Sequence, residues 1–246
     1  MILNIEIRKI YSNHKENTTP NSNLDLFWGD KDLFKGEFEN MAKYLSETES
    51  NRLNRLKIKQ LSETYITSHF FLRKAISEHL NIGIKKVDII FEEGHKPYIN
   101  SQSLDFNLSH SDNYFAFVIG FGANDAVGID IEKIKYNLNI EGIVNYYMHR
   151  LEVEYIFAGE DNNQRHIRFF EIWTRKEALL KMIGIGLVDH LSEVNVITEY
   201  NNVMIEVPDD FKSHGDKAYL YTFIKGDFIM SAALSFEANT IVTEVN

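Results

Sequence analysis

The sequence contains no cysteine among its 246 residues. This absence excludes disulfides, thiolate nucleophiles, zinc–thiolate sites and iron–sulfur clusters. The sequence also has no apolar run near the roughly 20 residues that a membrane-spanning helix needs. The first ten residues carry charges within their apolar stretch, which is not typical of a signal peptide. We therefore expect a cytoplasmic protein.

Proline and glycine are scarce, with three and 13 residues respectively. No long segment rich in Pro, Gly or Ser separates parts of the chain, so any two halves should be tightly joined. The length fits one large domain or two small ones, at about 100–200 residues per domain. An apolar share of 44% and a charged share of 25% are ordinary for a folded globular chain.

Basic residues are outnumbered by acidic ones. Lys and Arg number 26 against 36 Asp and Glu, which gives a formal net charge of −10. Binding to nucleic-acid phosphates needs a basic surface, so the composition disfavours a nucleic-acid partner, and it equally disfavours an anionic membrane. An anionic ligand would have to meet a local group of cations, or a metal ion held by carboxylates.

Two segments are predicted to form long helices. Apolar residues at steps of three and four predict a helix from about Ser62 to Leu80, with Ser62 as its N-cap. A second helix is predicted from about Arg165 to Ile183, ending at Gly184. Strand patterns predict a hairpin between residues 114–121 and 126–132, and another between residues 218–224 and 228–236.

The two helices contain similar short sequences. Arg73-Lys74-Ala75 begins ten residues before Gly83, and Arg175-Lys176-Glu177 begins nine residues before Gly184. Each helix is followed by strand-like segments and a predicted hairpin. The pattern favours a duplicated α+β half, although so short a match is also common by chance.

The segment Gly128-Ile129-Asp130-Ile131-Glu132 is the first with recognisable chemistry. On a strand, Asp130 and Glu132 share one face, while Ile129 and Ile131 are expected to point into the core from the other face. Two adjacent carboxylates repel unless a cation lies between them, and oxygen ligands suit Mg²⁺. The alternative is an ordinary solvated strand face.

A second segment runs from Trp173 to Leu187. Trp173, Glu177 and Lys181 are spaced i, i+4, i+8, so they lie along one stripe of a helix. The alternative is a surface Glu–Lys pair beside a half-buried tryptophan, worth a few tenths of a kcal/mol.

The third segment is Asn107-Leu108-Ser109-His110-Ser111. We expect a strand that ends near Leu108 and releases Ser109 to Ser111 into a loop, where hydroxyls, backbone N–H groups and an imidazole could hold phosphate oxygens. The alternative is a satisfied loop histidine. A serine-hydrolase site is not indicated, because no G-x-S-x-G sequence surrounds either serine.

In this order and spacing, the three segments resemble those of 4′-phosphopantetheinyl transferases of the larger, surfactin-synthetase-activating type. The segment from Trp173 to Leu187 fits the family pattern W-x-x-K-E-(S/A)-x-x-K-x-x-G-x-G-L throughout. The resemblance implies an α+β fold of two similar halves, related by a pseudo-twofold axis with the ligand cleft between them. We assign residues 1–124 to the N-terminal half and residues 125–246 to the C-terminal half, which carries the carboxylates.

The resemblance also implies the activity. Such an enzyme transfers 4′-phosphopantetheine from coenzyme A to a serine of an apo acyl- or peptidyl-carrier protein, with Mg²⁺, and releases adenosine 3′,5′-bisphosphate. The larger type suggests secondary metabolism and a monomer, since one chain holds both halves. Two alternatives are a Mg²⁺-dependent phosphohydrolase of a small nucleotide and an inactive coenzyme A-binding scaffold.

The family's functional positions fall on named residues of this chain. Its metal-binding acids match Asp130, Glu132 and Glu177, and the lysine near the transferring phosphate matches Lys181. The coenzyme-binding positions match Arg52, Lys96, Ser109 and His110. Glu49 stands where the family usually has a second basic residue, for which Arg55 is a substitute. The general base matches Glu152, and a shift of one or two residues would select Glu154.

Overall fold

The structure, a computed structural model, describes residues 7–11, 24–100, 104–122, 125–186, 189–197, 203–207, 209, 217–237 and 241–245. The chain divides into two compact units. The first unit comprises Met1–Glu93, Pro97–Ala123 and Asn239–Asn246, and the second comprises Gly94–Lys96 and Asn124–Ala238. Within the ranges described, no helix is both long enough and apolar enough to cross a membrane.

The first unit combines a five-stranded sheet with three helices and a small two-stranded sheet. The large sheet has the order β1-β11-β2-β6-β5, and all neighbours are antiparallel except β11 and β2. Its strands are β1 (Ile7–Tyr11), β2 (Leu24–Asp30), β5 (Asp105–Ser111), β6 (Tyr114–Gly120) and β11 (Ile241–Val245). The other elements are α1 (Phe38–Ala42), α2 (Glu47–Leu53), α3 (Lys59–His79), β3 (Ile89–Ile90), β4 (Tyr98–Ile99), and 3-10 turns at Lys31–Phe34 and Ile84–Lys86.

The second unit combines a four-stranded antiparallel sheet with three helices. The sheet order is β7-β10-β9-β8. Its elements are β7 (Val127–Lys133), α4 (Glu141–Tyr147), α5 (Arg150–Phe157), α6 (Asn162–Ile183), a 3-10 turn (Asp189–Glu193), β8 (Val203–Glu206), β9 (Lys217–Lys225) and β10 (Phe228–Leu234).

The predicted class, two similar α+β halves, is confirmed. Each unit has its own buried apolar core, formed where a long helix packs against the sheet. The predicted boundary after residue 124 lies close to a change of unit, but β11 pairs with β1 and β2 of the first unit and not with strands of the second. The predicted axis and cleft concern the placement of the halves and stay predictions.

Equivalent elements of the two halves are separated by a constant number of residues. Corresponding elements begin 103 residues apart: β2 and β7 at Leu24 and Val127, α1 and α4 at Phe38 and Glu141, α2 and α5 at Glu47 and Arg150, α3 and α6 at Lys59 and Asn162. This offset pairs Arg73 with Lys176. The sequence comparison, which aligned Arg73 with Arg175, was therefore wrong by one residue.

The first predicted hairpin is wrong. β6 pairs with β2 and β5, whereas β7 pairs with β10, so the two predicted partners lie in different sheets. The short turn between them carried the prediction, but the packing of each half decided the pairing. The second predicted hairpin is confirmed, because β9 and β10 pair across Gly226.

The predicted end of α6 is confirmed, and the predicted start of α3 is wrong. α6 stops at Gly184, which caps it with a left-handed φ of 83°, as predicted. Leu187, the last residue of the family pattern, lies outside the described residues. α3 begins earlier than predicted, because Ile58 is the N-cap and Ser62 lies inside the helix, where its hydroxyl donates to the carbonyl of Ile58.

The prediction that Ser109 to Ser111 form a loop is wrong. They continue β5, which turns into β6 only at Asp112 and Asn113. Asp112 adopts a positive φ of 51°, a conformation that suits a tight turn between strands.

Gly128 allows β7 to lie directly against α6. A Cβ atom at this position would come within 2.1 Å of the carbonyl oxygen of Ala178 and 2.3 Å of the backbone nitrogen of Met182. Both contacts are with backbone, so a larger residue would force the strand and helix apart. The face of β7 that contains Gly128 therefore points at the C-terminal part of α6.

Candidate active site

The acidic segment of β7 lies on the face that meets α6. Asp130 and Glu132 follow Gly128 at steps of two, which places them on the same side of the strand. Asp130 is buried, with 4% of its surface exposed, and Glu132 is partly exposed. Ile129 and Ile131 are fully buried on the other side, as predicted. The strand therefore presents two carboxylates to one helix.

Lys181 of α6 reaches the first of these carboxylates. Its Nζ lies 2.6 Å from Oδ1 of Asp130, although 51 positions separate the two residues. The lysine side chain is 28% exposed, so its charge lies at the edge of the buried region. Asp130, the predicted metal ligand, and Lys181, the residue predicted to lie near the transferring phosphate, are therefore in direct contact.

Glu177 lies one helical turn before Lys181. Burial raises the pKa of the Glu177 carboxyl, the charge of Asp130 raises it further, and the charge of Lys181 opposes both. Asp130 and Glu177 are therefore close enough to repel each other. A cation bound between two such carboxylates would relieve that repulsion.

The predicted metal ligands are only partly brought together. Asp130 and Glu177 are neighbours, but within the part of the chain that the structure describes, no three His, Asp or Glu side chains are arranged to hold a metal ion. In this conformation Lys181 supplies the positive charge beside Asp130. The donor set itself fits a hard cation, because Asp130, Glu132 and Glu177 offer only carboxylate oxygens, the ligands that Mg²⁺ prefers.

The location of Glu152 does not suit the predicted general base. Glu152 is fully buried, and its Oε2 lies 2.9 Å from Nζ of Lys176, which is equally buried. Glu152 also accepts hydrogen bonds from the backbone N–H groups of His149, at 2.8 Å, and Val196, at 2.7 Å. Both carboxylate oxygens are thus engaged inside the second unit, and the role of Glu152 as general base stays a prediction.

Glu154, the alternative base, has the opposite environment. Its side chain is 58% exposed and pairs with Arg150 at 2.7 Å, one turn earlier on α5. An exposed i, i+4 pair of this kind stabilises a helix only weakly and leaves the carboxylate accessible.

Lys96 belongs to the second unit by its contacts. Its Nζ donates to the carbonyl of Val127 at 2.7 Å, which fastens the Lys-Pro turn to the first residue of β7. The predicted coenzyme-binding lysine therefore lies at the start of the strand that carries Asp130 and Glu132.

Ser109 and His110 do not act as one cluster, because neighbouring residues of a strand point to opposite faces. Ser109 is buried, while His110 is exposed. The residues that share the face of Ser109 are Asn107 and Ser111, both also nearly buried. The two predicted phosphate contacts would thus have to reach a ligand separately.

Arg52 and Glu49 lie on α2 with different surroundings. Arg52 is exposed, and its guanidinium carbon lies 4.2 Å from the centre of the Phe91 ring. Glu49 is fully buried and binds Arg73 at 2.8 Å and His69 at 3.0 Å. The unexpected acid therefore points into the first unit, and it does not place a negative charge beside Arg52 on the surface.

The sequence patterns did not show that Arg73 and Lys176 are buried cations, each paired with a glutamate. The signal was present, since a Glu precedes each of them by 24 residues and occupies the N3 position of a capping box. A capping box predicts the start of a helix, however, and does not by itself indicate that its glutamate is buried.

The fold and these side chains define a two-half α+β enzyme with paired acids beside a lysine. Residues 126–232 match the family model described as the 4′-phosphopantetheinyl transferase superfamily, and residues 33–120 match the model described as 4′-phosphopantetheinyl transferase, N-terminal. The chain belongs to the 4′-phosphopantetheinyl transferase superfamily, whose members transfer phosphopantetheine to carrier proteins.

Individual relatives support the Sfp type within that superfamily. The 4′-phosphopantetheinyl transferase Sfp of Bacillus subtilis strain 168 is 26% identical over 77% of this chain and 83% of its own length. The transferase ffp of Bacillus subtilis is 28% identical over 73% of this chain and 79% of its own. The transferase HetI of Nostoc is 26% identical over 66% and 68% respectively.

Proposed function

We propose that this enzyme moves 4′-phosphopantetheine from coenzyme A to a serine of an apo acyl- or peptidyl-carrier protein in a Mg²⁺-dependent reaction. The observation that carries the proposal is the meeting of Asp130, Glu177 and Lys181 beside β7, where the acids repel and the lysine balances them. A site of this composition suits a cation and a pyrophosphate together.

The reaction exchanges one P–O bond for another. The serine Oγ of the carrier forms a bond to the phosphorus that bears the pantetheine arm. The bond from that phosphorus to the bridging oxygen breaks, and adenosine 3′,5′-bisphosphate leaves with that oxygen. The serine proton is lost to a base or to water. Charge therefore builds on the leaving bisphosphate, and groups that offset it lower the barrier.

Asp130, Glu132 and Glu177 are the residues that would hold the metal ion. When bound, Mg²⁺ would neutralise charge on the pyrophosphate of the coenzyme. Lys181, one turn after Glu177, would offset the charge of the departing bisphosphate. Its present partner, Asp130, supports this role, because an ion pair at 2.6 Å holds the ammonium next to the acids.

Four residues would bind the coenzyme. Lys96 is held at the beginning of β7 by the Val127 carbonyl, which supports a role close to the acids. Arg52 is exposed, and its guanidinium lies over the ring of Phe91, which suits contact with a phosphate. Ser109 and His110 would contribute from opposite faces of β5.

The proton acceptor is proposed to be Glu154. Of the two predicted acids, it alone exposes its carboxylate. A carboxylate is a weak base toward an alcohol, so positioning and charge neutralisation must supply most of the rate.

The direct test is to incubate the protein with coenzyme A, Mg²⁺ and a panel of apo-carriers and to read the carriers by intact mass. We expect one phosphopantetheine group per carrier, at the acceptor serine. Glu177→Gln should lower the rate by at least about 100-fold, because it removes one metal ligand. The matched control is Glu78→Gln, which removes the acid of the Lys74–Glu78 pair on the equivalent helix α3 and should leave the rate unchanged.

Two results would contradict the proposal. Transfer at the wild-type rate by Glu177→Gln would exclude the metal site. Hydrolysis of coenzyme A without any carrier modification would instead favour the phosphohydrolase alternative, which needs the same acids but no protein acceptor.

A further inference from the structure

The two units contain the same buried ion pair at equivalent positions. Glu49 pairs with Arg73 in the first unit at 2.8 Å, and Glu152 pairs with Lys176 in the second at 2.9 Å. The cation follows the glutamate by 24 residues in both, and the offset of 103 residues relates one pair to the other. We call them the first-unit pair and the second-unit pair.

Both pairs join the same three elements of their unit. The glutamate occupies N3 of the short helix and closes a capping box with the N-cap, Ser46 in one unit and His149 in the other. The cation comes from the long helix and donates to two carbonyls at the 3-10 turn that follows it. These carbonyls belong to Ile84 and Val87 for Arg73, at 3.0 and 2.7 Å, and to Leu191 and Val194 for Lys176, at 2.8 and 2.5 Å.

Lys176 uses all of its bonding capacity in this way. An ammonium group has three donors, and here they meet Glu152, the Leu191 carbonyl and the Val194 carbonyl, with none of the side chain exposed. The side chain is therefore fixed. Because successive residues of an α-helix are about 100° apart around its axis, fixing Lys176 also fixes the direction in which Glu177 leaves the helix.

One difference between the surroundings of the two pairs concerns the acids of β7. Glu177, the neighbour of Lys176, lies one helical turn before Lys181, whose Nζ is 2.6 Å from Oδ1 of Asp130, and the charge of Asp130 raises the pKa of the Glu177 carboxyl. At the equivalent positions of the first unit, Lys74 follows Arg73 and Phe27 takes the place of Asp130. The second-unit pair thus lies next to Glu177, whereas in the first unit the positions equivalent to Glu177 and Asp130 carry no acid.

We propose that Lys176, held by Glu152, is a positioning residue that keeps the Glu177 carboxylate beside Asp130. This inference rests on the proposed function, in which those two acids bind the metal ion. Removing a residue that holds a metal ligand in its orientation typically weakens metal binding by about 10–100-fold. The first-unit pair supplies a matched control, because its removal damages the fold in the same way without touching the acids.

The test compares Lys176→Met, Lys176→Arg and Arg73→Met in the full chain. Binding of Mn²⁺, which shares the oxygen preference of Mg²⁺, is measured by electron paramagnetic resonance in the presence of coenzyme A and without any carrier. Lys176→Met should raise the Mn²⁺ Kd by about 10–100-fold. Lys176→Arg should restore binding close to that of wild type, since Arg73 performs the same task in the first unit. Arg73→Met should lower the melting temperature comparably but leave the Kd unchanged.

Glu152→Gln is the second variant, in case Lys176→Met does not fold. Its amide keeps the size of the side chain but removes the charge that holds Lys176, so the Mn²⁺ Kd should rise in the same direction. An unchanged Kd in a folded Lys176→Met or Glu152→Gln protein would overturn the inference, as would an equal loss of binding in Arg73→Met. If wild type itself binds no Mn²⁺ and modifies no carrier, the proposed function fails along with it.

Discussion

Nζ of Lys181 lies 2.6 Å from Oδ1 of Asp130, so the ammonium of α6 occupies the immediate surroundings of the central acid of β7. The contact joins two residues from different sequence motifs. A metal ion bound as proposed would therefore have to share Asp130 with Lys181, the observed partner of that carboxylate. Competition between a metal ion and Lys181 for Asp130 should affect the Mg²⁺ concentration that the transfer reaction requires.

Replacing Lys181 with Met should change metal affinity and turnover in opposite directions. Without the ammonium, Asp130 loses its competing cation, and the Mg²⁺ concentration for half-maximal rate should fall, by up to about tenfold. The maximal rate should fall by about 100-fold, because the charge of the leaving bisphosphate is no longer offset. Transfer rates measured across a Mg²⁺ titration separate the two effects. A higher Mg²⁺ requirement would show instead that Lys181 helps to assemble the metal site.

Replacing Glu152 should lower the free energy of unfolding far more than replacing Glu154. Glu152→Gln leaves Lys176 as an uncompensated buried charge, which should cost about 3–5 kcal/mol of unfolding free energy. Glu154→Gln removes only an exposed helix pair and should cost less than about 0.5 kcal/mol. Chemical denaturation of both variants measures the difference. If Glu152→Gln kept wild-type stability and lost only turnover, Glu152 would be the base that the sequence predicted.

The first-unit pair should make stability depend on pH in the acid range. Burial alone would raise the pKa of the Glu49 carboxyl, but hydrogen bonds from His69 and the Ser46 backbone, together with the charges of His69 and Arg73, hold it below its ordinary value of 4.5. Below pH 4.5 the unfolded chain therefore binds a proton that the folded chain does not. The stabilisation is complete above 4.5 and is lost as the pH falls through the lower, folded pKa.

A comparison with Glu49→Gln measures this contribution. The variant should be less stable than wild type at pH 7, and the two unfolding free energies should converge as the pH falls from 4.5 through the lower, folded pKa, because Glu49 of the folded wild type then becomes protonated as well. A gap that stays constant from pH 7 to pH 3 would show that the carboxylate charge of Glu49 contributes nothing.

Gly128→Ala should damage both the fold and the site. The added Cβ meets backbone of α6 at 2.1 and 2.3 Å, so β7 and α6 must separate. We expect a loss of about 3 kcal/mol or more, together with weaker metal binding, since Asp130 moves away from Glu177 and Lys181. Thermal unfolding and Mg²⁺ titration measure the two effects.

Gly142→Ala is the matched control for that substitution. Gly142 lies inside α4, and a Cβ there would meet no atom within 4 Å. Alanine should therefore raise stability, by up to about 1 kcal/mol. Comparable destabilisation by both substitutions would mean that the close approach of β7 and α6 is not what requires Gly128.

Much of the site could be predicted because its chemistry repeats at short range. A step of two along β7 places Asp130 and Glu132 on one face, and a step of four along α6 places Glu177 and Lys181 on one stripe. Gly184 marked the helix end correctly, since its left-handed backbone favours glycine. The same local rules failed for Ser109 and His110, because a predicted break after Leu108 is instead continuous strand.

Partners distant in the chain could not be predicted in the same way. The short turn after β6 suggested a hairpin with β7, but β7 pairs with β10, a strand about 100 residues further on. Glu152 matched the position of the family's general base, and only the structure shows that its position in the capping box turns it toward Lys176 and away from solvent. Burial of a charged residue depends on what covers it, and the cover comes from other segments.

The order and spacing of three segments carried the resemblance to the family, and that resemblance implied the two-half α+β class and the acids and lysine of the proposed site. The periodicity of strands and helices showed which of those side chains share a face within one element. Only the tertiary structure decided that Lys181 meets Asp130, that Glu49 and Glu152 are internal ion-pair partners, and that the halves match with an offset of 103 residues. The physical reason is that these contacts join elements far apart in the chain, whose meeting is set by packing around each buried core.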